Sequence, residues 1–120
     1  MSKNQKEYDL ADRTTNFAVE VIALTKKLPG NAVGDPIKRQ LVKSGTSIGA
    51  NYAEADCAES RKDFRHKIGI AAKEARETKY WLEVIGRSFT GLKGPVKDLH
   101  TEADELYRIF VTIRKKAQDQ

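Results

Sequence analysis

The stretch KSGTSIGANYAEA, residues 43–55, sets a lysine beside two glycines, two serines and a threonine, the residue types of a loop that wraps phosphate in backbone amides. Spacing decides against that chemistry. A Walker-type loop places four residues between its glycines and follows the second with Lys and Ser or Thr, so that the lysine reaches the terminal phosphates. Here three residues separate Gly45 from Gly49, Ala50-Asn51 follows, and no strand pattern precedes.

Glu54, Glu74 and Glu77 raise a second chemistry, paired carboxylates for acid–base work or for a di-iron centre inside a bundle. Such centres take a Glu-x-x-His motif from each of two helices, and neither His66 nor His100 has a glutamate three residues before it. Cys57 is the single cysteine, which excludes an intrachain disulfide and reads as a small packed residue rather than a nucleophile. With no triad and no spaced His/Cys cluster, no catalytic group, metal or cofactor is expected, and the chain reads as a non-enzyme.

The elements that carry these side chains are helices. Leu10, Thr14, Phe17, Val21, Leu24 and Leu28 alternate steps of four and three and predict a first helix over about residues 8–28, closed by Pro29-Gly30-Asn31. Asp35 as N-cap and Pro36 at the first helical position open a second over about 35–57. Its seam runs through Ile37, Leu41, Gly45, Ile48, Tyr52 and Ala55.

Ser60 and Asp63 form a variant capping box for a third helix over about 60–86, with Phe64, Ile68, Ala71, Ala75, Thr78, Leu82 and Ile85 on its seam and Trp81 at the edge. The glycines at 86, 91 and 94 mark a connection, and Pro95 opens a fourth helix over about 95–117 through Val96, Leu99, Ala103, Leu106, Phe110 and Ile113. Arg114-Lys115-Lys116 suits the negative end of that helix's dipole. No segment alternates with the period of a strand, so residues 1–120 read as one all-α domain, an antiparallel up-down-up-down four-helix bundle.

Composition agrees with that class. Hydrophobic residues at 39% against 32% charged suit buried stripes with solvated outer faces, and no run nears the roughly 18 apolar residues of a membrane span. No membrane partner is expected, and the N-terminus MSKNQKEYDL lacks the apolar core of a secretory signal, which points to the cytoplasm. Twenty-two Lys and Arg against seventeen Asp and Glu give a net charge of +5, a prior for polyanionic partners.

Three faces of the predicted helices carry more than core. Gly45, Gly49 and Ala53 form a small-residue ridge that admits another backbone, since two mid-helix glycines cost about 1 kcal/mol each against alanine and close packing must return something comparable. Beside it runs a polar stripe, Ser44, Ser47, Asn51 and Glu54, facing Glu74 and Glu77 on the third helix; these groups need partners across a helix or subunit boundary. On the outside of the third helix, Lys62, His66, Gly69, Lys73, Arg76, Tyr80, Glu83 and Arg87 fall in line at steps of four and three. Such a face can track a phosphate backbone and stack Tyr80 on an unpaired base; equally, it can be a solvated charged surface interrupted by Glu83.

The run from Leu41 to Ile85 resembles a family of small bacterial four-helix-bundle proteins encoded in intervening sequences of 23S ribosomal RNA genes. Ser47, Asn51 and Ala53-Glu54 carry the likeness, with Ser60, Lys62, Asp63 and Phe64, then Ala71, Ala72, Glu74, Glu77 and Leu82. It covers residues 37–85 most strongly, while the first and fourth helices match in length and general pattern. The resemblance implies a homopentameric ring of no established enzymatic activity. A related branch, the accessory variability proteins of diversity-generating retroelements, consists of basic pentamers that bind nucleic acid and a reverse transcriptase. In a ring, Tyr52, Trp81 and the Gly45–Gly49 ridge would serve a subunit interface, and the five charges of each copy would sum.

Two functions follow as expectations. The first is a self-associating bundle that binds structured RNA or DNA through Lys62, His66, Lys73, Arg76, Tyr80 and Arg87. The second is a scaffold that presents its ring to a protein partner, such as a polymerase-like enzyme, without binding nucleic acid itself.

Overall fold

The computed structural model describes residues 9–118, which form four α-helices: α1 (Leu10–Thr25), α2 (Gly34–Asp56), α3 (Arg61–Ser88) and α4 (Lys93–Gln118). A short 3-10 turn, Thr90–Leu92, joins α3 to α4. Each helix packs on its neighbour in sequence and α1 closes the set against α4, giving the antiparallel four-helix bundle. The predicted start of the first helix at residue 8 lies outside the described residues.

Every seam residue of α1 is buried, and so is Leu28 beyond it, because the chain leaves the helix through a tightened turn. The amides of Lys26, Lys27 and Leu28 each bond a carbonyl three residues back. The start of α2 differs from the sequence expectation. Asn31, not Asp35, supplies the capping side chain: its Oδ1 accepts from the amides of Val33 at 3.0 Å and Gly34 at 2.8 Å. Helical geometry therefore begins at Gly34, where the chain doubles back so closely that a Cβ would lie 2.0 Å from the Pro29 carbonyl oxygen. Asp35 and Pro36 sit inside the first turn, where an amide-free residue still costs nothing.

At the head of α3, Ser60 caps as expected, accepting from the Asp63 amide at 3.0 Å. The helix runs to Ser88, two residues past its predicted end, and α4 begins at Lys93, two before Pro95.

The four interfaces are built differently. Between α1 and α2, Gly45 lies against Val21 and Gly49 against Thr14. Between α2 and α3, the hydroxyls of Ser44 and Thr78 meet at 3.0 Å within the core, each also in reach of a carbonyl of its own helix, that of Leu41 or Glu74. Two hydroxyl protons thus satisfy both groups in either direction. Between α3 and α4, Lys79 bridges to Asp104 at 2.6 Å and lies over the Tyr107 ring; that bond, reinforced by Arg108, holds the Asp104 carboxyl below its usual range. Between α4 and α1, Arg13 grips Glu102 through two bonds of 2.6 and 2.9 Å and reaches Glu105 at 2.7 Å.

Candidate nucleic-acid interface

The glycines at the centre of KSGTSIGANYAEA turn out to serve the bundle itself. A methyl group at Gly45 would stand 3.0 Å from both Val21 methyls, and one at Gly49 would stand 2.8 Å from Thr14 Oγ1. These two residues are where α1 approaches α2, so the ridge is a helix-packing device within one chain. Ala53, read as its third member, is exposed and takes no part. Tyr52 is also used internally: half-buried, it meets Phe110 across the bundle with ring centroids 5.8 Å apart, and burial, followed by the charge of Asp56, pushes its hydroxyl pKa up. Cys57, expected to be packed, is instead exposed as the residue that ends α2.

The polar stripe runs from core to solvent along α2. Ser44 is buried, Ser47 and Asn51 are half-buried, and Glu54 is exposed. Their needs are met locally: Ser47 donates to the Lys43 carbonyl at 2.6 Å, Asn51 Nδ2 donates to the Ser47 carbonyl at 2.8 Å, and Glu54 pairs with Lys67 of α3. Across the groove, Trp81 Nε1 donates to Glu77 at 3.3 Å, while partial burial, then the neighbouring Glu77, drives the Glu74 carboxyl above its ordinary range against the pull of Lys73 and Lys43. Glu54, Glu74 and Glu77 do not converge, and among the described residues no three His, Cys, Asp or Glu side chains form a metal-holding group.

The outer face of α3 is where the candidate site lies. Lys62, His66, Lys73, Arg76, Tyr80 and Arg87 are all exposed, and Tyr80 keeps 60% of its surface free while its ring rests edge-on against Trp81. A 28-residue helix spans about 42 Å, so these side chains form a line long enough to follow several phosphates. Two members behave differently from the rest. Arg87 is paired with Glu83, which lowers its net contribution. Gly69 is half-buried because Arg114 of α4 lies over it, with Nε and Cζ 3.2 Å from where a Cβ would be.

Arg114 is a member that the linear spacing does not reveal. Together with Lys62, Arg65, His66 and Gln118 it lines a cavity of about 300 Å³ where the start of α3 meets the end of α4. Arg65 and Arg114 fall off the four-three line, and only Gly69, a gap in a basic stripe, hints at a neighbour seated there. At the far end of the same two helices, Arg87, Lys93, Lys97 and His100 border a broader opening of about 640 Å³.

The profile of the 23S rRNA-intervening sequence protein family matches residues 6–112. The chain belongs to that family. A crystal structure of a protein of unknown function from the S23 ribosomal protein family, from Bacteroides thetaiotaomicron VPI-5482, shares 36% sequence identity with this family member and superposes with a TM-score of 0.82. The match spans 92% of this chain and 98% of the other, so the two bundles correspond over nearly their whole lengths. No curated protein matches the sequence. Among the described residues of this intervening-sequence protein, no helix is long and apolar enough to cross a membrane.

Proposed function

We propose that this chain is a non-enzymatic, self-associating bundle that binds structured RNA or other nucleic acid through the outer face of α3. The observation that carries the reading is the exposed line of Lys62, His66, Lys73, Arg76 and Arg87 with Tyr80 free among them, in a chain of net charge +5. Cations at this spacing displace counterions from a phosphate backbone, and an unburied tyrosine gives an unpaired base a surface to stack on. The retroelement accessory proteins offer the pattern, a basic ring whose copies each add weak contacts. Self-association is supported by Val19 and Ile22, 60% and 41% exposed on the outside of α1, and by the half-buried Trp81.

Affinity for a structured RNA, followed by fluorescence anisotropy across a salt series, tests the nucleic-acid role. Binding should weaken linearly in log–log form as salt rises and be lost in the double variant Lys73→Glu, Arg76→Glu. No affinity at low salt, with a specific protein partner retained after nuclease treatment, would replace this reading with the scaffold. Light-scattering mass of the same sample should give five copies; a monomer would remove the ring.

A further inference from the structure

Four cations on α3 and α4 hold a carboxylate: Lys67 has Glu54, Lys79 and Arg108 share Asp104, and Arg87 has Glu83. The end cavity is different. Lys62, Arg65 and Arg114 converge there with His66 and Gln118, and among the described residues no carboxylate lines the cavity. Like charges brought together repel one another, and an anion that enters from outside relieves that repulsion.

The fold also prepares one of these groups. Gly69 costs its helix about 1 kcal/mol relative to alanine, and the end of the Arg114 side chain rests over the space it leaves, with Nε and Cζ 3.2 Å from where a Cβ would be. A planar guanidinium at the rim offers parallel donors that match two oxygens of one phosphate, a bidentate contact that a lysine ammonium does not make. Concavity separates this site from the rest of the α3 face. A line of exposed side chains meets phosphodiesters in passing, whereas a cavity of about 300 Å³ accepts a phosphate that projects from the end of a chain.

We propose that this cavity binds a phosphomonoester, the terminal phosphate of a nucleic-acid strand or of a free nucleotide. A terminal phosphate carries roughly −1.5 to −2 charge at neutral pH and three acceptor oxygens, against a single charge for an internal diester, and so matches three cations and a fork of donors. The proposal deepens the nucleic-acid reading by assigning a separate subsite to strand ends.

The experiment titrates the full chain with inorganic phosphate, a 5′-mononucleotide, and one short RNA carrying either a 5′-phosphate or a 5′-hydroxyl, all at one ionic strength. Amide chemical shifts report the site, and anisotropy reports RNA affinity. The 5′-phosphorylated RNA should bind about tenfold more tightly than its hydroxyl twin, with shifts centred on Gly69 and Arg114. That preference should vanish in Arg114→Gln and in Arg65→Gln, both surface changes that leave the core intact, and shrink in Gly69→Ala. A mononucleotide that binds as well as the phosphorylated RNA assigns the site to free nucleotides; a weaker one assigns it to strand ends. Equal affinity for the two RNAs, with inorganic phosphate producing no saturable shift, would overturn the subsite while leaving RNA binding along α3 standing. A preference that survives both arginine variants would overturn it too. Phosphate binding lost in Arg114→Gln, with no RNA affinity at low salt, would keep the subsite and remove the RNA reading.

Discussion

Gly49 and Gly69 are both helical glycines with a side chain from a neighbouring helix laid over them, and they do opposite work. The neighbour of Gly49 is Thr14, 1% exposed and tied by its hydroxyl to the Leu10 carbonyl at 2.7 Å, so the contact is fixed and dry. The neighbour of Gly69 is the end of the Arg114 side chain, which is flexible and reaches solvent. In the first case a missing side chain lets two backbones close on a core. In the second it seats a charge at the rim of a cavity. The residue type is the same; the mobility of what faces it determines whether the glycine serves stability or binding.

The largest expected effect tests the fixed member of this pair. Gly49→Ala would place a methyl 2.8 Å from Thr14 Oγ1, and neither partner can withdraw. Overpacking of this kind costs typically 1–3 kcal/mol, which exceeds the gain of about 1 kcal/mol in helix propensity. Thermal unfolding should show a melting temperature lower by about 5 °C. An unchanged or raised value would mean that α1 is not closely seated on α2.

Thr78→Val probes the adjoining α2–α3 contact, where the pairing is polar. The variant keeps the volume and removes one hydroxyl, leaving Ser44 with the Leu41 carbonyl at 3.3 Å. A loss of about 1 kcal/mol is expected in urea unfolding, and the further step Ser44→Ala should cost less in that background than in the wild type.

Gly69→Ala sharpens the contrast most directly. Arg114 can swing away, so stability should stay level or rise by about 0.5–1 kcal/mol while the preference for a terminal phosphate weakens. If this variant destabilises as much as Gly49→Ala, the distinction between the two glycines fails.

The smallest effect belongs to Glu74. Its folded-state pKa is raised, so this carboxyl favours the fold fully below the ordinary glutamate value, and that contribution is lost as pH rises through the raised one. At neutral pH it is ionised against its partial desolvation and beside Glu77. Glu74→Gln should therefore raise the melting temperature at pH 7 by about 1 °C, solvent screening keeping the effect small, and the difference should disappear near about pH 4. A gain that persists unchanged in acid would point to packing instead of charge.

The helices were legible because burial leaves a periodic trace. The α1 and α4 seams read off the sequence are buried up to Phe110, and Ser60 caps α3 where its spacing to Asp63 indicated. The start of α2 was less legible, since Asp35-Pro36 and Asn31 both carry capping chemistry. The close return of the chain onto the Pro29 carbonyl chose between them. The Gly45–Gly49 ridge was recognisable as a packing surface, but the same two residues fit a neighbouring helix or a neighbouring subunit equally well.

The basic face of α3 could be drawn from spacing because all its members belong to one helix, and they do share the solvent side. The end cavity could not, because Arg65 and Arg114 stand forty-nine positions apart, and the pattern along either helix says nothing about the other. The sequence by itself determined four amphipathic helices, their order and their solvent-facing charges, since each follows from local periodicity and capping. Only the tertiary structure decided which helix lies over each glycine and which cations meet in the end cavity, because those depend on the registers in which the helices pack.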